Sequence, residues 1–234
     1  MTWISLDVSD GTAMRAFVAR PTGSARHPGL LVLQEAFGVN SHIRDVATRF
    51  AAQGYVAIAP ELFHRTGPGF EGAYDNFDPV RQHMAALTDD GQIADLAAAH
   101  AWLVNDASVD PRHTAAVGYC MGGRSAFLAN ATLPLAAAAS YYGGNIPSVL
   151  DRTANLSGPH LFCWGGLDKH VAADQRHAVM AALDAAGKPY VHVKFSGADH
   201  GFFCDQKPQY HKDSALEAWA LTLAFFERGF AARS

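Results

Sequence analysis

The segment Gly118-Tyr119-Cys120-Met121-Gly122-Gly123 constrains this chain more than any other. It joins a strand-like run, Thr114 to Val117, to a helix-like one, Arg124 to Ala131. A strand that reverses directly into a helix leaves little room at the turn. Side chains two positions before and after the central residue would collide, and glycine stands at both places, Gly118 and Gly122. The central residue is forced into a strained backbone conformation that lifts its side chain clear of the sheet. Here that side chain is a thiol. The helix behind it points free N–H groups and the positive end of its dipole at the sulfur. Such a field favours a thiolate and, later in a reaction, an oxyanion. A lone cysteine on a buried strand is ordinarily a small hydrophobe. The glycine frame makes Cys120 a candidate nucleophile.

The rest of the chain supplies the sheet that such a turn needs. Strand and helix patterns alternate over nearly the whole length, which predicts an α/β fold with a doubly wound, mainly parallel sheet. The opening differs: Trp3 to Val8 and Ala13 to Arg20 flank Ser9-Asp10-Gly11-Thr12 and predict an antiparallel hairpin at the sheet edge. Gly29 to Gln34 and Tyr55 to Ala59 are apolar runs suited to strands buried on both faces. Between them, Asn40 caps a helix with the apolar stripe Ile43, Val46, Ala47 and Phe50, ending at Gly54. Pro60 to Asp78 mixes Gly, Pro and aromatics without periodicity and predicts a long excursion able to cover a site. Two helical patterns follow, the second marked by Leu96, Ala99, His100 and Leu103. Beyond the cysteine turn, Leu135 to Tyr142, His160 to Trp164 and Tyr190 to Phe195 are strand-like, and Ala172 to Ala186 is an amphipathic helix. Tyr210 to Phe230 forms the closing helix, with Leu216, Trp219, Leu223 and Phe226 expected in the core. No linker or internal repeat divides the chain, so residues 1–234 are expected to be one domain.

Composition excludes several classes of function. The net charge of -4 comes without basic clusters, which argues against nucleic acid. No stretch reaches the ~18–20 uninterrupted apolar residues of a membrane span. The start lacks a basic region followed by an apolar core, and the three cysteines include no CxxC pair, so a reduced, cytoplasmic setting is expected. The twelve histidines are scattered without the helical spacing of a metalloprotease site, so neither metal nor cofactor is expected.

A thiol nucleophile needs a base, and the base needs an orienting acid. Gly165-Gly166-Leu167-Asp168 follows one late strand, and Gly197-Ala198-Asp199-His200-Gly201 follows the next, both at the carboxyl edge where open α/β sheets build sites. The order nucleophile, acid, histidine is that of α/β-hydrolases. Asp199 competes with Asp168 as the acid, but adjacent loop residues rarely face each other, which favours Asp168. Glu35, after Leu30-Leu31-Val32-Leu33, is a carboxylate at the end of a buried strand, a costly placement unless it is functional or paired, for instance with Arg44 or Arg124.

From Gly29 to the C-terminal helix the chain resembles the dienelactone hydrolase family, a branch of the α/β-hydrolases with a Cys-Asp-His triad. The resemblance rests on Gln34-Glu35-Ala36-Phe37-Gly38-Val39-Asn40, the Cys120 segment, Tyr141-Tyr142-Gly143, Gly165-Gly166-Leu167-Asp168 and Ala198-Asp199-His200-Gly201. It implies that Glu35 contacts the resting thiol and helps to ionise it when substrate binds, and that backbone N–H groups of Ala36 and Met121 form the oxyanion hole. Phe37 and Tyr142, which lie within these segments, are expected to line the substrate site. The chain departs from the family at the two arginines that hold the substrate carboxylate in dienelactone-cleaving members. One position is Cys204 here, four residues past His200; the other falls near Phe77, with Arg81 one helical turn away and able to substitute if the segment is shifted. Losing both removes a bidentate grip on a carboxylate, and Phe70, Tyr74 and Phe77 predict a more apolar mouth.

These features predict a hydrolase that cleaves small lactones or esters through a thioester on Cys120. A broad carboxylesterase unrelated to dienelactones is the nearest rival. A non-catalytic ligand-binding or thiol-redox protein on the same fold is the other, for which Cys163 or Cys204 would have to act as a resolving thiol.

Overall fold

The computed structural model describes residues 1–23 and 25–233, and the chain divides into two compact units, Met1–Ala115 and Ala116–Ser234.

The first unit opens with the expected hairpin. Strands β1 (Thr2–Asp7) and β2 (Ala13–Ala19) pair antiparallel from Thr2↔Val18 to Asp7↔Ala13. Gly11 turns the chain at φ 84°, its N–H donating to the Val8 carbonyl at 2.9 Å, and Asp10 accepts from the Thr12 N–H at 3.0 Å. β2 then pairs antiparallel with β4 (Val56–Pro60), which runs parallel to β3 (His27–Leu33) in the register Gly29↔Val56 to Leu31↔Ile58. Parallel neighbours need a crossover, and α1 (Ser41–Ala52) supplies it. The Asn40 side chain accepts from the Ile43 N–H at 3.2 Å, and Ile43, Val46, Ala47 and Phe50 are buried, as the periodicity predicts.

The excursion after β4 leads into α2 (Asp78–Ala85) and α3 (Asp89–Asn105). It is pinned rather than loose. Arg65 places a fork on the buried Asp95 carboxylate of α3, at 2.8 and 2.9 Å, and donates to Asp10 of the hairpin turn at 2.7 Å. Further along it folds back over the end of β3. Gln34 accepts from the Leu62 N–H at 3.0 Å, Phe37 from the Gly72 N–H at 3.0 Å, and the Asn40 side chain donates to the Tyr74 hydroxyl at 2.9 Å. Gly38 sits at φ 82°, where a Cβ would lie 2.0 Å from the Phe70 carbonyl oxygen. Only glycine permits that approach.

The second unit begins within β5 (Val109–Tyr119) and continues through α4 (Met121–Thr132), β6 (Ala137–Tyr141), a 3₁₀ segment (Ile146–Asn155), β7 (His160–Gly165), α5 (Ala173–Ala185), β8 (Tyr190–Phe195) and α6 (Lys212–Ala231). β6, β7 and β8 are parallel, in register from Ala138↔His160 and from His160↔Tyr190. Parallel strands bring the loops at their carboxyl ends to one edge.

The closing helix corrects one expectation. Leu216 is 56% exposed, and Trp219 and Leu223 are only partly buried. The buried face is Ala215, Ala218, Thr222, Phe225, Phe226 and Gly229, turned by about one residue from the apolar stripe. Close approach explains the rotation. A Cβ at Gly229 would lie 2.9 Å from Ala137 Cβ, and the Tyr141 hydroxyl donates to the Ala218 carbonyl at 2.8 Å. A leucine on that face would hold the helix away from the sheet.

Candidate active site

Cys120 sits between β5 and α4 with φ 53° and ψ -117°, a region a side chain rarely adopts. The surroundings hold it there. The Cys120 N–H donates to the Tyr141 carbonyl at 3.0 Å, and the Cys120 carbonyl accepts from the Gly123 N–H at 2.9 Å. A Cβ on Gly118 would lie 1.8 Å from the Gly122 oxygen, and one on Gly123 would lie 2.6 Å from Gly143 Cα. Gly118 and Gly123 are therefore demanded by backbone contact on either side of Cys120. Met121, the first residue of α4, is buried.

Asp168 and His200 come from the loops after β7 and β8, and glycines again bring those loops together. A Cβ on Gly165 would lie 2.8 Å from the Ala198 oxygen, and one on Gly166 would lie 2.6 Å from the Ser196 oxygen. The Leu167 N–H donates to the Ala198 carbonyl at 2.9 Å. Across this seam His200 Nδ1 meets Asp168 Oδ2 at 2.8 Å. The other Asp168 oxygen accepts from the backbone N–H groups of His170, at 2.7 Å, and Val171, at 3.0 Å. Asp199 instead accepts from the His200 backbone N–H at 2.6 Å, so Asp168 is the residue that meets the ring.

The electrostatics follow. Burial disfavours a charged His200, but the opposite charge of Cys120, the Asp168 hydrogen bond and a further bond to the Cys120 side chain outweigh it, and the imidazole is pushed up to about 10. Burial likewise works against an ionised Asp168, yet the His200 ring and the Val171 and His170 N–H groups hold its carboxyl below the ordinary range. Cys120, His200 and Asp168 thus stand in one hydrogen-bonded line. The Tyr142 ring, itself at φ 39°, lies edge-on to His200 at 5.0 Å. His170 approaches the same imidazole at 4.9 Å. Nothing in the sequence singles out His170; the only signal is its place two residues after Asp168, within the turn that the carboxylate caps.

The other expected site residues have definite places. Cys204 is fully buried, its N–H donating to the Gly201 carbonyl at 2.9 Å. Cys163 is buried in β7, and burial pushes its thiol up, which removes the thiolate a resolving cysteine needs. In the first unit, Glu35 is buried just past β3. Arg44 donates to the Val39 carbonyl at 2.7 Å and to Glu71 at 2.5 Å. Ala36 and Phe37 form an apolar cluster with Val80, against which Phe70, Tyr74 and Met84 pack. The Phe37 ring stands 4.8 Å from Tyr74 and 6.0 Å from Phe77. Arg81 points outward: its side chain is 70% exposed, 3.4 Å from Asp78 and 5.4 Å from the Phe77 ring centroid.

Comparison with known proteins gives the family. A model described as the dienelactone hydrolase family matches residues 14–230. The chain is 33% identical over 221 residues to a Synechocystis protein named "Putative carboxymethylenebutenolidase", covering 90% of each chain. It is 34% identical over 231 residues to an Escherichia coli K12 protein of the same name, covering 94% of this chain and 84% of that one. The crystal structure of a Klebsiella pneumoniae protein described as "Putative Dienelactone Hydrolase" superposes with a TM-score of 0.84 at 32% identity, covering 97% of this chain and 99% of that one. Fold and relatives together define an α/β-hydrolase that acts on carboxylic esters. Within that class, the chain belongs to the dienelactone hydrolase family. Among the described residues, no helix is long and apolar enough to cross a membrane.

Proposed function

We propose that the protein cleaves small lactones or esters by acyl transfer to Cys120, with His200 as the proton carrier and Asp168 as its orienting acid. The observation that carries this reading is the line from Asp168 Oδ2 through His200 Nδ1, at 2.8 Å, to the Cys120 side chain held at φ 53°. His200 holds the proton of the Cys120 thiol, leaving the sulfur with the electron pair that attacks the carbonyl carbon. The carbonyl oxygen becomes an oxyanion, for which the Met121 N–H at the start of α4 is the donor. Collapse expels the alkoxide, which takes the proton from His200 and leaves a thioester on Cys120. His200 then removes a proton from water as the hydroxide attacks the thioester, and the departing thiolate regenerates the starting pair while the acid leaves. To Glu35 the family resemblance adds help in ionising the thiol, and to the Ala36 N–H a share in stabilising the oxyanion.

The substrate class follows from the missing guanidiniums. Cys204 is buried and carries no guanidinium, and Arg81 is turned to solvent. An anionic substrate would lose its hydration without a bidentate partner, so neutral lactones and esters are the preferred class. Mass spectrometry tests the mechanism: incubation with an activated ester should place the acyl group on the tryptic peptide containing Cys120. Turnover without any adduct there, and unimpaired in Cys120→Ala, would refute the thioester route.

A further inference from the structure

Behind the Cys120 turn lies a chain of buried polar side chains that the mechanism above does not use. Asn130 on α4, Ser140 on β6 and His160 at the start of β7 are all fully buried. Ser140 Oγ lies 2.6 Å from the Gly123 carbonyl oxygen and 2.8 Å from His160 Nε2. His160 Nδ1 lies 3.3 Å from Asn130 Nδ2, and Asn130 exchanges two 3.0 Å bonds with the Gly158 backbone.

The direction of this chain is determined by its ends. A carbonyl oxygen only accepts, so Ser140 gives its one proton to Gly123 and its oxygen accepts from His160 Nε2–H. The Gly158 N–H fixes Asn130 Oδ1 as an acceptor, so Nδ2 is the atom that donates to His160 Nδ1. A ring with Nδ1 as acceptor is neutral, and burial, which pushes His160 down to about 3, agrees. The bonds from Asn130 Nδ2 to His160, from His160 to Ser140 and from Ser140 to Gly123 thus all point toward the Gly123 carbonyl.

Gly123 is where this matters. Its own N–H holds the Cys120 carbonyl at 2.9 Å, while Tyr141, next to Ser140, holds the Cys120 N–H at 3.0 Å. Two consecutive β6 residues therefore grip the two ends of the strained turn. The next residue, Tyr142, just past β6, sets its ring edge-on to His200. We propose that Ser140, aligned by His160 and Asn130, is a positioning residue that holds the first turn of α4 against β6 and so sets the orientation of Cys120 toward His200.

The inference rests on Cys120 as the nucleophile, but its readout is independent of turnover. Ser140→Ala, Cys120→Ala and the double variant Ser140→Ala/His160→Phe are compared with the unaltered protein. Three quantities are measured: hydrolysis of p-nitrophenyl acetate, the rate of Cys120 alkylation by iodoacetamide against pH, and the urea midpoint. Ser140→Ala should lower kcat by ~10-fold or more with KM changed less than ~2-fold, because a small misplacement is felt mainly in the reacting geometry. Alkylation of Cys120 should slow and its pH profile move upward. Ser140→Ala also leaves the His160 N–H without an acceptor, which lowers the urea midpoint. The double variant removes that orphan donor and should recover the midpoint. It should not recover kcat or the alkylation rate. Recovery of all three together, or a Ser140→Ala protein that alkylates and turns over normally, overturns the positioning role. If Cys120→Ala still hydrolyses the ester while Ser140→Ala alters alkylation, the acyl-transfer reading fails and the positioning role stands.

Discussion

At the scale of single residues, the site is a set of groups whose charges depend on one another. His200 is held up to about 10 against its own burial, chiefly by the charge of Cys120 and by Asp168. A group that binds its proton more tightly when folded contributes stability fully below its unfolded value of ~6.5, and that contribution is lost as pH rises through the folded one. Stability should therefore fall between about pH 6.5 and about pH 10. In Cys120→Ala the largest favourable partner is gone, so the His200 resonance should titrate at lower pH and the alkaline fall should shrink. An imidazole that still titrates near 10 in the variant, followed by NMR, would show that Cys120 is not the cause. The same interdependence governs turnover. Cys120→Ala and His200→Ala should each abolish nearly all activity, and the pair together should lose little more, since groups acting as a unit are not additive. Fully additive losses in steady-state kinetics would separate the two residues into different roles.

Elements are placed by close backbone approach as much as by apolar stripes. Gly165 lets the loop after β7 lie on the loop after β8, and an added Cβ would push 2.8 Å and 2.9 Å from two carbonyl oxygens beside His200. Gly165→Ala should therefore part Asp168 from His200. The expected result is a kcat lowered by ~10-fold or more, with a smaller effect on the thermal midpoint than a core truncation gives. The closing helix makes the same point about stability. Ala218→Leu, on the face that touches the sheet, should destabilise by ~1–3 kcal/mol through overpacking. Leu216→Glu, on the exposed face, should stay within ~0.5 kcal/mol. Urea denaturation of the two variants distinguishes this face from the one that hydrophobic periodicity alone selects, which predicts the opposite order.

For the molecule as a whole, the proposed selectivity rests on position 204 being a cysteine and on Arg81 being turned to solvent. Neutral esters should exceed their matched carboxylate-bearing analogues in kcat/KM by ~10-fold or more, about 1.4 kcal/mol of transition-state stabilisation per tenfold. The acid and methyl-ester pair measured on the unaltered protein and on Arg81→Ala checks this. A preference for the acid that disappears in the variant would make Arg81 the anion clamp despite its outward position. Much of this protein can be read from sequence because its strongest constraints are local. The glycines at 118 and 122 around Cys120 and the helix cap at Asn40 are written in neighbouring residues, and the alternation of apolar runs gives the α/β order. The same locality placed Asp168 and His200 on successive loops at one edge of the parallel strands. Tertiary structure alone decided which face of α6 is buried, that Arg81 turns to solvent, and that Asn130, His160 and Ser140 join behind the Cys120 turn. The first and last of these depend on what a distant segment presents: a small residue that permits contact, a carbonyl that accepts a proton. Periodicity within a helix or strand carries no record of its neighbour's shape, and for that reason these features arise only when the chain is folded.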